Sequence, residues 1–243
     1  MNKQLIFIGD NHNNVSNILW SLKAYDISFT TLVQVGDFGV GISRFEVQDE
    51  QYERLSKELD KRDSYLYVIR GNHDNPKYFG TLEYDRIKFV ADYDVLEFND
   101  ERILCLGGAI SVDRQYRQKN GHPYWPNEFF NYNLSKIENL TDITIVASHN
   151  SPNFAYPMYG GYLLDYYAKD DLELRKDIAE ERALLTSVYE RLQSQGNPLK
   201  LWTYGHFHEF NLMTFDDVEF RCLTVNEWFN IQWHFNMKKL NNE

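Results

Sequence analysis

Five short apolar runs in this chain each lead into residues of the kind that bind metals, and that coincidence constrains the fold and its chemistry together. Leu5-Ile6-Phe7-Ile8 is followed by Gly9, Asp10 and His12. Thr31-Leu32-Val33-Gln34-Val35 is followed by Gly36 and Asp37. Tyr65-Leu66-Tyr67-Val68-Ile69 precedes Arg70, Gly71, Asn72, His73 and Asp74. Ile143-Thr144-Ile145-Val146 precedes His149, and the run from Leu199 to Tyr204 precedes Gly205, His206 and His208. Runs of this length, rich in β-branched and aromatic residues and ending at Gly or a small polar residue, read as buried strands entering loops. Layered α/β folds gather their ligands beyond the carboxyl ends of the strands. Such strands would deliver all these side chains to one end of the molecule.

The residue types matter as much as the placement. Carboxylate oxygen and imidazole nitrogen together suit hard-to-borderline divalent metals. The chain offers enough of both for two ions, and two neighbouring ions are a device for hydrolysing phosphate esters. Taken singly, Gly-Asp and Gly-Asn pairs are ordinary turn chemistry. Turn chemistry does not ask for His at each site, so the joint occurrence favours metal binding. His122 and His234 stand outside the blocks and read as loop or packing residues.

In this order the five blocks resemble the calcineurin-like metallophosphoesterases, whose pattern is Asp-x-His, Gly-Asp, Gly-Asn-His-Asp/Glu, a lone His, and Gly-His-x-His. The resemblance runs from Asp10 to His208. It implies an α/β fold of two mixed β-sheets packed as a sandwich with flanking helices, four layers in all. It implies one ion held by Asp10, His12, Asp37 and His208, and a second held by Asp37, Asn72, His149 and His206, with Asp37 shared. A hydroxide between the ions would attack phosphorus. His73 would protonate the leaving oxygen, Asp74 would orient His73, and Arg70 would contact the phosphate. Mn²⁺ is the expected metal, while Fe, Zn²⁺ and Ni²⁺ accept the same donors.

The chain departs from the pattern in three places. Asn13-Asn14 replaces the glycine that usually follows Asp-x-His. His149 sits in Ser-His-Asn-Ser-Pro. Gly36-Asp37 continues as Phe38-Gly39-Val40-Gly41 and lacks the arginine of the protein-phosphatase branch, which disfavours phosphoprotein substrates. The alternative to an enzyme is a scaffold or binding protein that keeps the fold without the reaction; retention of His73 speaks against it.

The net charge of −11 disfavours long duplex nucleic acid, whose binding leans on many Lys and Arg. A small phosphorylated substrate or a nucleotide is the expected partner. No stretch approaches the ~20 apolar residues of a spanning helix. Met1-Asn2-Lys3 leads straight into the first strand, without the pattern of a signal peptide. Cys105 and Cys222 lie in apolar runs and read as buried thiols of a reducing compartment. A cytoplasmic location is therefore expected.

One domain over residues 1–243 is the economical reading, with no repeat or linker in view. Apolar periodicity predicts helices over residues 14–25, 46–62 and 171–195. Residues 87–110 read as three short strands with a hairpin turn at Asn99-Asp100. The tail from Asn211 to Met237 reads as antiparallel strands. Two segments are candidate substrate loops. Residues 107–125 carry Arg114 and Arg117 for a phosphate, and aromatics for a stacked base. Residues 156–167, rich in Tyr and Gly, are a lid or an ordinary insertion.

Overall fold

The computed structural model describes residues 3–157 and 161–241. The strands are β1 (Gln4–Ile8), β2 (Thr30–Gln34), β3 (Tyr65–Val68), β4 (Glu83–Tyr84), β5 (Ile87–Phe89), β6 (Val95–Phe98), β7 (Glu101–Leu106), β8 (Ile145–Ser148), β9 (Leu201–Tyr204), β10 (Asn211–Phe215), β11 (Val218–Cys222) and β12 (Trp228–Asn230). The helices are α1 (Val15–Ala24), α2 (Phe45–Lys61), α3 (Arg114–Asn120), α4 (Gly161–Tyr167), α5 (Leu174–Ser194) and α6 (Ile231–Asn241).

Two six-stranded mixed sheets carry the fold, in the orders β12-β1-β2-β3-β5-β4 and β10-β11-β9-β8-β7-β6. Their plans match. Each has four parallel strands at its centre and an antiparallel strand at each edge. Alternation along β1 shows how the layers form. Leu5 and Phe7 point into the core between the sheets, with Val33, Ile103, Ile145 and Leu201. Ile6 and Ile8 point the other way, onto Ile18 and Leu22 of α1 and Leu55 and Leu59 of α2. On the far side, Leu185, Val188 and Leu192 of α5 cover Val146, Trp202 and Phe220. The result is the helix–sheet–sheet–helix sandwich that the resemblance implied. Since both faces of β1, β2, β8 and β9 are buried, they read as largely apolar runs rather than alternating ones.

The helices at 14–25, 46–62 and 171–195 form as the periodicity predicts. Asn14 starts α1 by accepting the Asn17 N–H at 3.2 Å, which satisfies one otherwise unpaired helix-end donor. The tail differs from expectation. β10, β11 and β12 are strands, but Ile231–Asn241 is a helix. Ile231 and Phe235, four residues apart, turn the same face to the inter-sheet core, and Asn230 caps the new helix by accepting the Trp233 N–H. Gln232 accepts the N–H of Leu5, which lies beyond the last β12 pairing at Ile6, at 2.8 Å. An i, i+4 apolar pair with a cap outweighs the alternating pattern. Residues 107–125 are not all loop either, since α3 lies within them. Of the candidate lid, Met158, Tyr159 and Gly160 lie outside the described residues, and the part from Gly161 to Tyr167 is α4.

Candidate metal centre

The loops after β1, β2, β3, β8 and β9 converge at the carboxyl ends of both sheets. Asp37 is their hub. Its carbonyl accepts the N–H groups of Asn11 at 3.1 Å and His12 at 2.7 Å. Its Oδ1 accepts the His73 N–H at 2.7 Å and lies 3.3 Å from His149 Nε2. Its Oδ2 faces His12 Nδ1 at 4.0 Å. Asp10, wholly buried, accepts the His206 N–H on both oxygens at 3.1 Å.

Two groups of donors result. In the first, Asp10, His12, Asp37 and His208 each offer an atom within 4.8 Å of the others. His12 Nε2 and His208 Nε2 are 2.8 Å apart, and His208 Nε2 is 3.1 Å from Asp10 Oδ2. In the second, Asn72 Oδ1 lies 2.9 Å from both His149 Nε2 and His206 Nδ1. Ligand atoms about 2.1 Å from one ion in octahedral array are about 3.0 Å from each other, so these spacings match a shared cation.

The electrostatics agree. Burial raises the pKa of Asp37, yet His149, His73 and His12 around it hold it well below the ordinary carboxylate value. Burial lowers the pKa of His149, but Asp37 beside it more than offsets this and pushes it up to about 9. A cluster of buried acceptors that draws a proton this strongly calls for positive charge, and a divalent ion supplies more than one proton does. His206 is driven the other way, well below its ordinary value, by burial and by His149. It stays neutral, as a metal-ligating imidazole must.

Supporting bonds fix the orientation of these donors. His149 Nδ1 lies 2.9 Å from the Val35 carbonyl, which turns Nε2 toward the centre. Asn72 donates through Nδ2 to Ser111 Oγ at 2.9 Å, which directs its Oδ1 inward. Four of the candidate ligands, His12, Asp37, His206 and His208, have positive φ values of 51°, 57°, 70° and 57°. Such backbone costs about 1 kcal/mol or more per residue and persists where surrounding bonds over-determine it. The glycines explain the motif spelling. A Cβ on Gly71 would sit 2.1 Å from Asp37 N and 2.2 Å from its Oδ1, and one on Gly36 would sit 2.3 Å from His149 Nδ1. Candidate ligands of different loops approach each other through these missing side chains.

Four expected roles differ from what the structure holds. Asp74 does not orient His73. It is wholly buried, and its oxygens accept the backbone N–H groups of Phe38, Gly39, Val40 and Gly71 at 3.2, 2.6, 2.9 and 2.7 Å. It staples the β2 loop to the β3 loop. Arg70 is also buried. Its guanidinium donates to Asp92 at 2.7 Å and to the carbonyls of Gly107, Glu128 and Phe129, which leaves it unavailable for a phosphate. Arg114 pairs with Asp171 and Asp177 at 2.6 and 2.7 Å. Arg117 donates to Ser111 Oγ at 2.7 Å and to Glu128 at 3.2 Å, one bond removed from Asn72. All three arginines brace loops. Sequence reasoning missed Ser111 and Glu128, which carry no pattern of their own. The only signal for Ser111 was its position within the segment marked by Gly107-Gly108, and Glu128, three residues beyond the end of that segment at Trp125, had no signal at all.

His73 itself lines a cavity of about 310 Å³ beside the centre, and its ring lies 5.5 Å from that of His12, edge to face.

Carboxylate, imidazole and amide donors gathered at the carboxyl ends of two mixed sheets are the equipment of a metal-dependent phosphoric ester hydrolase. The chain matches the calcineurin-like phosphoesterase family over residues 3–210, and it belongs to that family. Similar solved structures include a phosphopantetheinyl hydrolase from Mycobacterium tuberculosis, 14% identical over 93% of this chain and 91% of that one, with a TM-score of 0.43. A dimetal phosphatase from Danio rerio is 11% identical over 92% of this chain and 88% of that one, with a TM-score of 0.49. Among curated proteins, no sequence matches this chain.

Proposed function

We propose that this hydrolase works with two divalent ions, one on Asp10, His12, Asp37 and His208 and one on Asp37, Asn72, His149 and His206, and that its substrates are small phosphorylated molecules. The observation that carries the reading is Asp37, which offers one oxygen to each donor group, Oδ1 at 3.3 Å from His149 and Oδ2 at 4.0 Å from His12. Ions held there by these residues would supply a water of lowered pKa and would neutralise charge on the phosphoryl oxygens.

The chain's own residues do the rest. Asp37 and Asn72 fix the two halves of the site relative to each other. His73, anchored through its backbone to Asp37, lines the neighbouring cavity and donates a proton to the leaving oxygen. General acid catalysis of this kind contributes roughly 10²–10⁴-fold. Mn²⁺ is the metal we propose, because the mixture of carboxylate, amide and imidazole donors suits it. Cys105 and Cys222 are buried and unpaired, which supports a reducing, cytoplasmic setting. Among the described residues no helix is long and apolar enough to cross a membrane.

The test is a panel of phosphomonoesters and phosphodiesters, run on chelator-stripped protein with and without Mn²⁺. Metal-dependent turnover of at least one ester is expected. No turnover on any member, with metal content confirmed, would refute the reading.

A further inference from the structure

The cavity beside His73 takes no part in holding metal. It measures about 310 Å³, and its walls include Ile42, Asp113, Tyr116, His122 and Pro123. That is the low end of the range for small-molecule sites and suits one ring system better than a peptide. Most of the wall comes from α3 and the turn after it. Gly121, with φ of 67°, ends the helix in left-handed conformation and sends the chain back. His122 is thereby laid against Tyr116, with ring centres 5.6 Å apart and planes 21° from parallel. Tyr167 of α4 leans on Tyr116 as well, at 6.3 Å. Tyr116 is nevertheless 49% exposed. It is an aromatic surface held in place by its neighbours and open to a ligand.

The polar groups narrow the choice of ligand. Arg117 lines the cavity, but its guanidinium is engaged by Ser111, Glu128 and the Pro123 carbonyl. Arg114 is held by two aspartates. Neither is available to a second phosphate. Asp113 is different. It occupies the N-cap position of α3, yet its side chain makes no capping hydrogen bond. The wall therefore combines an open aromatic face with a carboxylate that accepts hydrogen bonds and repels anions.

We infer that this cavity receives the leaving group of the ester and that the leaving group is a nucleoside, its base stacked on Tyr116 and its donor edge turned to Asp113. The inference rests on the phosphoesterase reading, which puts the leaving oxygen next to His73. Among the bases, guanine fits best. Its N1–H and amino group are adjacent donors that a carboxylate accepts together. Uracil presents carbonyl oxygens on both sides of its one N–H, and the carboxylate repels them.

Nucleosides are products, so their binding can be measured without catalysis. Calorimetric titration of the metal-loaded protein should show guanosine bound more tightly than uridine. Tyr116→Ala should weaken guanosine binding about tenfold or more, within the range for loss of a stacked base. Tyr116→Phe should restore it, and Asp113→Asn should erase the preference over uridine. Thermal melts of each variant check folding. Rates on GMP and on a 5′-phosphorylated dinucleotide then separate a free nucleotide from a strand end, and metal-dependent turnover of either supports the inference. Equal binding of guanosine and uridine, or no effect of Tyr116→Ala, would overturn it. Turnover of alkyl phosphates with no nucleoside binding would overturn it and leave the phosphoesterase reading standing. Nucleoside binding without turnover of any ester would sink that reading instead.

Discussion

Replacing Asp74 with Asn separates two accounts of that residue. As the orienter of His73, it should matter for catalysis and little for stability. As a staple between the β2 and β3 loops, it should matter for both the fold and the metal. Oδ1 accepts from Gly39 and Val40, and Oδ2 accepts from Phe38 and Gly71. An amide has one acceptor oxygen, so in either orientation its NH₂ faces two backbone donors and two bonds are lost. Bonds to a charged group contribute about 1.5–3 kcal/mol each. Some of this is offset, because burial and the nearby Asp37 already raise the Asp74 pKa. The net expectation is a loss of about 3–5 kcal/mol, a large share of the roughly 5–15 kcal/mol available to a typical domain. Urea denaturation at neutral pH measures it, with elemental analysis of the same samples showing lowered metal content. Wild-type stability and metal content, with slower turnover only of esters with poor leaving groups, would show that Asp74 serves His73 after all.

Three other substitutions follow from the same geometry. Gly71→Ala puts a methyl group 2.1–2.2 Å from Asp37 atoms; metal affinity should fall at least tenfold by titration, while the far-UV circular dichroism spectrum stays unchanged. His73→Ala should retain both metals and slow alkyl phosphate turnover about 100-fold or more, yet slow nitrophenyl phosphate little, since nitrophenolate leaves without a proton. Glu128 is pushed up to about 7 by burial, against the opposing pull of Ser111 and Arg117. Its folded pKa lies above its unfolded value, so its contribution to stability is full below about pH 4.5 and is lost as pH rises through about 7. Unfolding free energies measured from pH 5 to 8 should fall by roughly 2–3 kcal/mol more in the wild type than in Glu128→Gln.

The clustering of the candidate ligands was legible in the sequence because their positions and their chemistry repeat. The strands that enter the site are largely apolar runs, and three of the loops after them carry a Gly that another loop's candidate ligand packs against: Gly36 on His149, Gly71 on Asp37 and Gly205 on Asp10. Close approach of this kind forces glycine, so it leaves a mark. The arginines were misread because a guanidinium beside a phosphate site and one tied to carbonyl oxygens look alike in sequence. Arg70 is committed by the carbonyls of Gly107, Glu128 and Phe129, contacts that depend on how distant loops lie against each other. Asp74 was misread for the same reason, since its partners are backbone N–H groups, which every residue type but proline supplies. The C-terminal helix was hidden by an alternating pattern that fits strand or helix over so short a stretch.

Metal stoichiometry tests the central claim most directly. Chelator-stripped wild-type protein, reloaded with Mn²⁺, desalted and analysed for metal and protein content, should hold two ions per chain, because two donor groups share Asp37. Asp37→Asn should hold one ion or none and lose turnover on every ester. One ion per wild-type chain at full activity, or an Asp37→Asn variant that keeps both ions and its rate, would contradict the two-metal account.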